Sequence, residues 1–233
     1  MHSNTYQHRR QKLTTYFDQT AADAWSQLTS DAPVGRVRAT VRAGRDAMRA
    51  QLLSWLPASL QGVRLLDAGC GTGALAIDAA MRGAHVLAVD VSSTLVDVAA
   101  RRTDAQLLER IDYRVGDMLD ESFGEVDHVV AMDSLIHYDS DDIVSMLGTL
   151  AARTRRSILF TVAPRTPALT VMHAVGRLIP YREHRAPAIV PVAASGLHAR
   201  VAASPVLKGW SLTDSQLISS GFYKSQAFRL ERV

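Results

Sequence analysis

The sequence has one cysteine, Cys70, among 233 residues. A single cysteine excludes an intramolecular disulfide framework and a cysteine-rich zinc site, and it suits a reducing cytoplasm. The chain also has no uninterrupted apolar run long enough to cross a bilayer, and residues 1–10 are polar and lack the apolar core of a secretory signal. These absences predict a soluble cytoplasmic protein.

Acidic residues are nearly absent from residues 153–200, which hold eight Lys/Arg and one Asp/Glu, whereas residues 61–152 hold six and 16. The net charge is only +3, so basic and acidic residues are nearly equal in number but are concentrated in different segments of the chain. A basic segment is typical of a site for nucleic acid, an anionic membrane surface or an acidic small molecule, and equally of a solvated surface. The hydrophobic content of 47% predicts one globular domain with a substantial core.

Apolar strand-like segments alternate with helical ones along most of the chain. The predicted strands are residues 63–66, 85–89, 111–115, 126–132 and 157–163, and the predicted helices are 11–28, 37–56, 74–82, 92–102, 141–152 and 192–203. Residues 210–218 and 222–230, separated by turn residues, predict a closing hairpin. This order indicates an α/β fold, a doubly wound Rossmann-like parallel sheet with helices on both faces and a terminal antiparallel hairpin.

Within this single domain we expect three parts. Residues 1–60 form an N-terminal helical arm or lid, and residues 61–163 together with 193–233 form the core. Residues 164–192, which contain five prolines, interrupt the alternation and form an insertion after the fifth strand.

The central motif is the segment Leu65-Leu66-Asp67-Ala68-Gly69-Cys70-Gly71-Thr72-Gly73, in which a strand turns tightly into a helix. Glycines let the backbone approach a ligand, and the first amides of the helix meet its polar groups. The spacing formally satisfies the dinucleotide fingerprint, but Asp67 would repel a pyrophosphate at this position. The same carboxylate suits the ammonium and sulfonium groups of S-adenosylmethionine.

Acidic residues at later strand ends extend the cofactor prediction. Asp90, with Val91 beside it, is placed to accept hydrogen bonds from ribose hydroxyls, although it could instead cap the helix that follows. Asp117 is placed to accept the adenine amino group, with Met118 packing on the ring, and Asp133 ends the fourth strand. Together with Asp67, Gly69, Cys70, Gly71 and Gly73, these residues resemble the cofactor site of class I S-adenosylmethionine-dependent methyltransferases.

A narrower resemblance covers nearly the whole chain. It rests on Tyr16-Phe17-Asp18 before Trp25, Val41-Arg42-x-Gly44-Arg45, Asp133-Ser134-Leu135-Ile136-His137-Tyr138, Ala163-Pro164-Arg165-Thr166-Pro167, Gly176-Arg177-x-x-Pro180 and Ser219-Ser220-Gly221-Phe222-Tyr223. These motifs resemble the magnesium-protoporphyrin IX O-methyltransferase family of chlorophyll and bacteriochlorophyll synthesis. The resemblance implies methyl transfer from S-adenosylmethionine to a propionate of magnesium protoporphyrin, with magnesium present only as part of the substrate and no resident metal.

The resemblance also implies roles for individual residues. His137 is the expected catalytic residue, orienting the carboxylate or removing a residual proton. The expected substrate-binding residues are Trp25, Tyr138, Arg165, His173 and Arg177, the last three in the insertion. Thr29 stands where some members of the family carry a tyrosine. The resemblance therefore does not imply that a tyrosine side chain takes part in catalysis at this position.

Several alternatives remain open at this stage. The acceptor could be another small molecule such as a quinone or phenolic acid, or the chain could bind a porphyrin without turnover. The arginine row at positions 38, 42, 45 and 49 is interpreted as a solvated helix face. The family further implies contact with the magnesium-inserting chelatase and a place near photosynthetic membranes; nucleic acid is not an expected partner.

Overall fold

Strands and helices alternate in the computed structural model, which describes residues 4–18, 25, 29, 35–165 and 187–233. The strands are β1 (Arg64–Ala68), β2 (His85–Asp90), β3 (Ile111–Val115), β4 (Val126–Ala131), β5 (Thr154–Val162), β6 (Trp210–Ser220) and β7 (Tyr223–Arg232). The helices are α1 (Asn4–Tyr16), α2 (Arg36–Ser54), α3 (Ala74–Met81), α4 (Ser93–Arg102), α5 (Ala105–Leu108), α6 (Ser140–Ala151) and α7 (Ala194–Ala203).

All seven strands form one sheet in the order β3-β2-β1-β4-β5-β7-β6. The first five are parallel, and the closing hairpin joins β5 through an antiparallel β7. The predicted fold class is therefore confirmed. Because the carboxyl ends of β1, β2, β3 and β4 lie at one edge, the residues that follow those strands converge there.

The central strands are buried on both faces because neighbouring apolar side chains point to opposite sides. Leu66 and Val129 belong to a cluster covered by α6 and α7, whereas Leu65 and Val130 belong to one covered by α2 and α3. Local chemistry also sets the helix starts. Ser92 caps α4 by accepting a hydrogen bond from the Leu95 amide at 3.2 Å, so Ser92, and not Asp90, is the N-cap.

The first helix differs most from its prediction, because α1 begins at Asn4 rather than near residue 11. Its anchoring side chains are polar, so no apolar stripe marked them in the sequence. Tyr6 is only 3% exposed, and Arg9 donates to the carbonyl of His137 at 2.8 Å. Tertiary contacts of polar groups therefore decide where this helix lies.

The two ends of the predicted insertion lie next to each other at the edge of the sheet. Pro164 bridges Val192, and the Val192 amide donates to the Ala163 carbonyl at 2.8 Å. Residues 166–186 between these points lie outside the described residues, so the role of the insertion stays a prediction. Within the described ranges, no helix combines the length and apolarity needed to cross a membrane.

His128, a residue of β4 that is 5% exposed, should make a contribution to stability that is lost in acid. Its Nδ1 lies 2.7 Å from the Ser157 hydroxyl, Nε2 has no hydrogen-bond partner in the described part of the chain, and burial lowers its pKa to about 4. An unfolded histidine titrates near 6.5. The unfolded state therefore binds the proton first, and the contribution of His128 to stability falls as pH drops from 6.5 towards 4, by about 2 kcal/mol at pH 5.

Urea unfolding between pH 7.5 and 5 measures this loss. His128→Asn keeps a polar atom near the Nδ1 position but does not titrate, so the free energy of unfolding of the wild type, taken relative to that of this variant, should fall by about 2 kcal/mol over the same range. This comparison cancels the opposite effect of the Asp67 carboxyl, which both proteins share. A difference that does not change with pH would show that His128 is not the responsible group.

Candidate active site

A cavity of about 280 Å³ lies at the carboxyl edge of the parallel strands, between the sheet, α1 and α2. The predicted site residues that line it are Trp25, Asp67, Gly69, Cys70, Gly71, Asp90, Val91, Met118, Asp133, His137 and Tyr138. Gly73, Asp117 and Arg165 do not line it, and His173 and Arg177 lie outside the described residues. The structure thus brings residues from five separate chain segments, at 25, 67–71, 90–91, 118 and 133–138, to one cavity.

Two of the three loop glycines serve packing rather than ligand approach. All three have positive φ, but a Cβ on Gly69 would lie 2.5 Å from the Cβ of Ser134, and one on Gly73 would lie 2.5 Å from the Tyr113 hydroxyl. A Cβ on Gly71 would have the indole nitrogen of Trp25 as its nearest neighbour, at 3.4 Å. Gly71 is therefore the glycine whose open side faces the cavity.

Asp67 carries the clearest sign of a ligand site. It is 2% exposed, and its Oδ2 is buried without a hydrogen-bond partner among the described residues. Burial, with the nearby charge of Asp90, raises the pKa of Asp67 to about 7. An unsatisfied buried carboxylate is costly, so this oxygen fits a cationic donor from a bound ligand. Burial also raises the pKa of the Cys70 thiol well above its usual value, which leaves it a neutral small filler rather than a nucleophile.

Asp90 holds the glycine loop in place. Its Oδ2 accepts from the Gly71 amide at 2.8 Å and its Oδ1 from the Ser92 amide at 2.9 Å. Each carboxylate oxygen has a second lone pair, so both contacts are compatible with the predicted bonds to ribose hydroxyls. Burial raises the pKa of Asp90, although these amide hydrogen bonds oppose the shift.

Asp117 is engaged by the first helix. Its carboxylate accepts hydrogen bonds from the Tyr6 hydroxyl, from Arg10 and, at 2.9 Å, from the Leu119 amide. Its neighbours Gly116 and Met118 line the cavity, but Asp117 itself does not. The predicted bond from Asp117 to adenine therefore has to compete with α1, whose Tyr6 and Arg10 line the cavity and gave no signal in the sequence.

The arginines of α2 are not the solvated row that was predicted. Arg38 is exposed, but Arg42, Arg45 and Arg49 line the cavity. Arg49 pairs with Asp78 at 2.7 Å, and the Arg45 guanidinium lies 4.6 Å from the centre of the Trp25 ring. The solvated interpretation is wrong for these three because they face the cavity, where residues distant in sequence, Asp133 and Trp25 for Arg45 and Asp78 for Arg49, meet their guanidinium groups.

His137 lies in a 3₁₀ turn, Leu135–His137, that follows β4. Its Nδ1 is 3.2 Å from the Ala188 carbonyl oxygen, which can only accept, so Nδ1 carries the proton. Burial lowers the pKa of His137, and the imidazole is neutral at pH 7. Nε2 is therefore a lone-pair acceptor in the wall of the cavity.

The remaining predicted substrate residues divide between the cavity and the surface. Tyr138 is 1% exposed and stacks on Tyr6 with ring centres 5.4 Å apart. Thr29 lines the cavity and donates its hydroxyl to the Trp25 carbonyl at 2.8 Å. Arg165 is exposed, and its backbone amide bonds Val192 at 3.0 Å, so its side chain is not part of the cavity wall.

Comparisons with known proteins cover both the glycine loop and the closing hairpin. The family model described as magnesium-protoporphyrin IX methyltransferase C-terminus matches residues 131–232, and a methyltransferase domain model matches residues 65–157. The chain is 44% identical to the magnesium-protoporphyrin O-methyltransferase of Rhodobacter capsulatus over 95% of this chain and 96% of that protein. It is 32% identical to the Synechocystis magnesium-protoporphyrin O-methyltransferase over 71% and 73% of the two chains.

Solved structures also match along almost the full length. The magnesium protoporphyrin IX methyltransferase of Synechocystis PCC 6803, crystallised with bound SAH, aligns with a TM-score of 0.84 and 27% sequence identity. The alignment covers 97% of this chain and 100% of that chain.

Proposed function

Because the chain belongs to the magnesium-protoporphyrin O-methyltransferase family, we propose that it is a carboxyl O-methyltransferase that uses S-adenosylmethionine to esterify one propionate of magnesium protoporphyrin IX in (bacterio)chlorophyll biosynthesis. The observation that carries this proposal is one cavity that holds both a buried unsatisfied carboxylate, Asp67, and a neutral histidine, His137. The first suits a cationic cofactor, and the second suits an acidic acceptor.

S-adenosylmethionine supplies a methyl group activated by a sulfonium. The orphaned oxygen of Asp67 and the open side of Gly71 fit this cofactor, and Asp90 with Val91 would hold its ribose. Asp67 is better suited to a cation than to a pyrophosphate because it is itself negative when ionised. The dinucleotide alternative is therefore disfavoured by the same residue that favours the methyl donor.

The substrate side of the cavity combines apolar and cationic groups. The apolar part of the wall is formed by Leu13, Phe17 and Trp25, and it suits a flat porphyrin ring. Arg42 is a cationic group in the same wall and suits a propionate. We retain Tyr138 as a packing residue. Arg165, His173 and Arg177 remain proposed substrate contacts through the insertion at residues 164–192.

His137 acts as the base in this proposal. Desolvation in the cavity favours the neutral acid form of a propionate, and substrate that binds with a proton must lose it before the oxygen can attack. Nε2 accepts that proton while Nδ1–H stays bonded to the Ala188 carbonyl, which fixes the ring. The imidazolium then faces the carboxylate and later loses the proton to water, which restores the neutral base.

Incubation of the protein with magnesium protoporphyrin and methyl-labelled S-adenosylmethionine should yield a labelled monomethyl ester. Metal-free porphyrin and phenolic or quinol acceptors in the same assay test the alternative acceptors. A folded protein that binds cofactor but labels only a phenol would contradict the proposal and would be a different methyltransferase. A folded protein that binds cofactor but labels no acceptor would also contradict it and would be a binding module.

The wider setting is also proposed. The single cysteine supports a cytoplasmic location, and the family's pathway supports a place peripheral to photosynthetic membranes with transient contact to the magnesium chelatase. Residues 1–60 as an arm over the site and residues 61–163 with 193–233 as the core remain our proposed division of the chain.

A further inference from the structure

Asp133 has a backbone conformation that its residue type rarely adopts. Its φ is +56°, and in the described part of the chain it is the one non-glycine residue with positive φ. It stands between β4 and the turn that carries His137. Backbone strain of this kind persists only where the surroundings hold it, and it concentrates at functional sites.

The groups that hold Asp133 come from three separate elements. Its amide donates to the Thr161 hydroxyl of β5 at 2.8 Å, and Arg45 of α2 pairs with Oδ2 at 2.5 Å. The Tyr223 hydroxyl and the Ser225 hydroxyl of β7 donate to the carboxylate at 3.1 and 3.2 Å. The Asp133 side chain is 6% exposed, so protein groups occupy the carboxylate that was predicted to bind cofactor.

Arg45 reaches a second part of the cavity with the same guanidinium. While one nitrogen pairs with Asp133, the guanidinium carbon lies 4.6 Å from the centre of the Trp25 ring. The indole nitrogen of Trp25 lies 3.4 Å from the position of a Cβ on Gly71. One side chain therefore links the end of β4 to the residue that covers the open glycine of the loop.

We propose that Arg45 and Asp133 are a positioning pair, which sets the His137 turn relative to the glycine loop and holds Trp25 over that loop. Neither residue touches the reacting atoms in this assignment. The ion pair fixes the backbone from which His137 projects, and the stacked guanidinium fixes the opposite wall. The inference rests on the proposed methyl transfer, and it assigns Asp133 a role different from cofactor binding.

The charge of Asp133 also reaches His137. The charged or polar groups that face this imidazole are Asp133 from the end of β4, Arg9 from α1 and the Ala188 carbonyl. Asp133 and the carbonyl raise its pKa, whereas burial and Arg9 lower it. Neutralising Asp133 should therefore lower the pKa of His137 further, and the acid limb of the rate profile should move to lower pH.

Asp133→Asn is the direct test, because it removes the charge and keeps the size. We expect kcat to fall about 10- to 100-fold through misplacement of the base, with less than about a threefold change in the dissociation constant of S-adenosylhomocysteine. Arg45→Gln should give a similar loss of kcat and a changed Trp25 fluorescence. In the double variant the losses should be less than multiplicative, because both changes break one pair.

Two further proteins complete the design. Glu125→Gln breaks an exposed ion pair with Arg155, in which both side chains are more than 60% exposed, and should change nothing. Tyr223→Phe removes one hydrogen bond but leaves the charge of Asp133, so it should lower kcat with little shift of the acid limb. If Asp133→Asn does not fold, the other two variants still test the pair. Arg45→Gln removes the charge that pairs with Asp133, whereas Tyr223→Phe removes one hydrogen bond and leaves the ion pair in place.

NMR titration of the His137 ring measures its pKa without turnover. A downward shift in Asp133→Asn supports the pair even if wild-type protein fails to methylate magnesium protoporphyrin, in which case only the proposed function falls. Wild-type kcat in Asp133→Asn, or a loss of cofactor affinity that matches the loss of kcat, would overturn the positioning assignment.

Discussion

Replacing His137 with alanine should lower kcat by about 10²- to 10⁴-fold, the usual contribution of a positioned base, while S-adenosylhomocysteine binds within about threefold of wild type. The physical reason is the protonation state that the contacts of the ring impose. Nδ1 bonds a carbonyl, burial holds the ring neutral, and Nε2 is left to accept a proton from the substrate acid. Single-turnover rates with bound cofactor and equilibrium binding of the product cofactor measure the two effects separately.

The pH profile distinguishes a base from an orienting group. Because burial lowers the pKa of His137 below its ordinary value, the rate should be level at neutral pH and fall only below the normal histidine range. His137→Asn keeps a donor near Nδ1 for the Ala188 carbonyl but provides no base, so it should be as slow as alanine. His85, an exposed histidine at the opposite edge of the sheet, supplies the control, and His85→Ala should retain wild-type kcat. If His137→Asn retained the wild-type rate, the role of His137 would be to orient the substrate and not to act as a base.

Replacing Asp67 with asparagine should weaken S-adenosylmethionine binding by about 100-fold, the worth of a buried hydrogen bond to a charged group. The folded protein holds this carboxyl 2% exposed, and one of its oxygens has no hydrogen-bond partner among the residues that the structure describes. A cationic cofactor removes that cost, whereas an amide side chain offers no charge. Isothermal titration of the two proteins at pH 8 measures the difference directly.

The same residue should make cofactor affinity depend on pH. Since the pKa of Asp67 is raised to about 7 in the cofactor-free protein, the carboxyl must lose a proton before it can pair with a cation. Affinity should therefore fall as pH drops below 7, by up to about tenfold per unit, and the dependence should disappear in Asp67→Asn. The fold should not suffer, because the substitution removes a buried charge that costs stability above pH 7.

Asp112→Asn changes an aspartate that is 54% exposed on β3 and should leave binding and its pH dependence intact. Unchanged affinity in Asp67→Asn would show that the orphaned oxygen does not meet the cofactor, and the ammonium or sulfonium contact would have to be sought elsewhere in the cavity.

Local pattern was enough to predict the sheet. Apolar runs of strand length, punctuated by glycine or aspartate, gave strands close to β1, β2, β3, β4 and β5, and the glycine loop predicted the strand-to-helix turn. The same pattern placed Asp67, Asp90 and His137 at one edge, because parallel strands end together. The first helix was predicted, but its start at Asn4 was missed because apolar periodicity does not register a first turn anchored by Tyr6, Arg9 and Arg10.

The sequence by itself determined the fold class, the glycine turn and the types of residue that meet at the carboxyl edge, since each depends on spacing along a few consecutive residues. The tertiary structure alone decided the partner of each charged group. Asp117 pairs with α1, and Asp133 pairs with Arg45 of α2 and two hydroxyls of β7. One oxygen of Asp67 has no partner within the described ranges. A carboxylate can pair with protein groups or remain available to a ligand. Which of the two occurs depends on residues up to about a hundred positions away in the sequence, and these come together only when the sheet has formed.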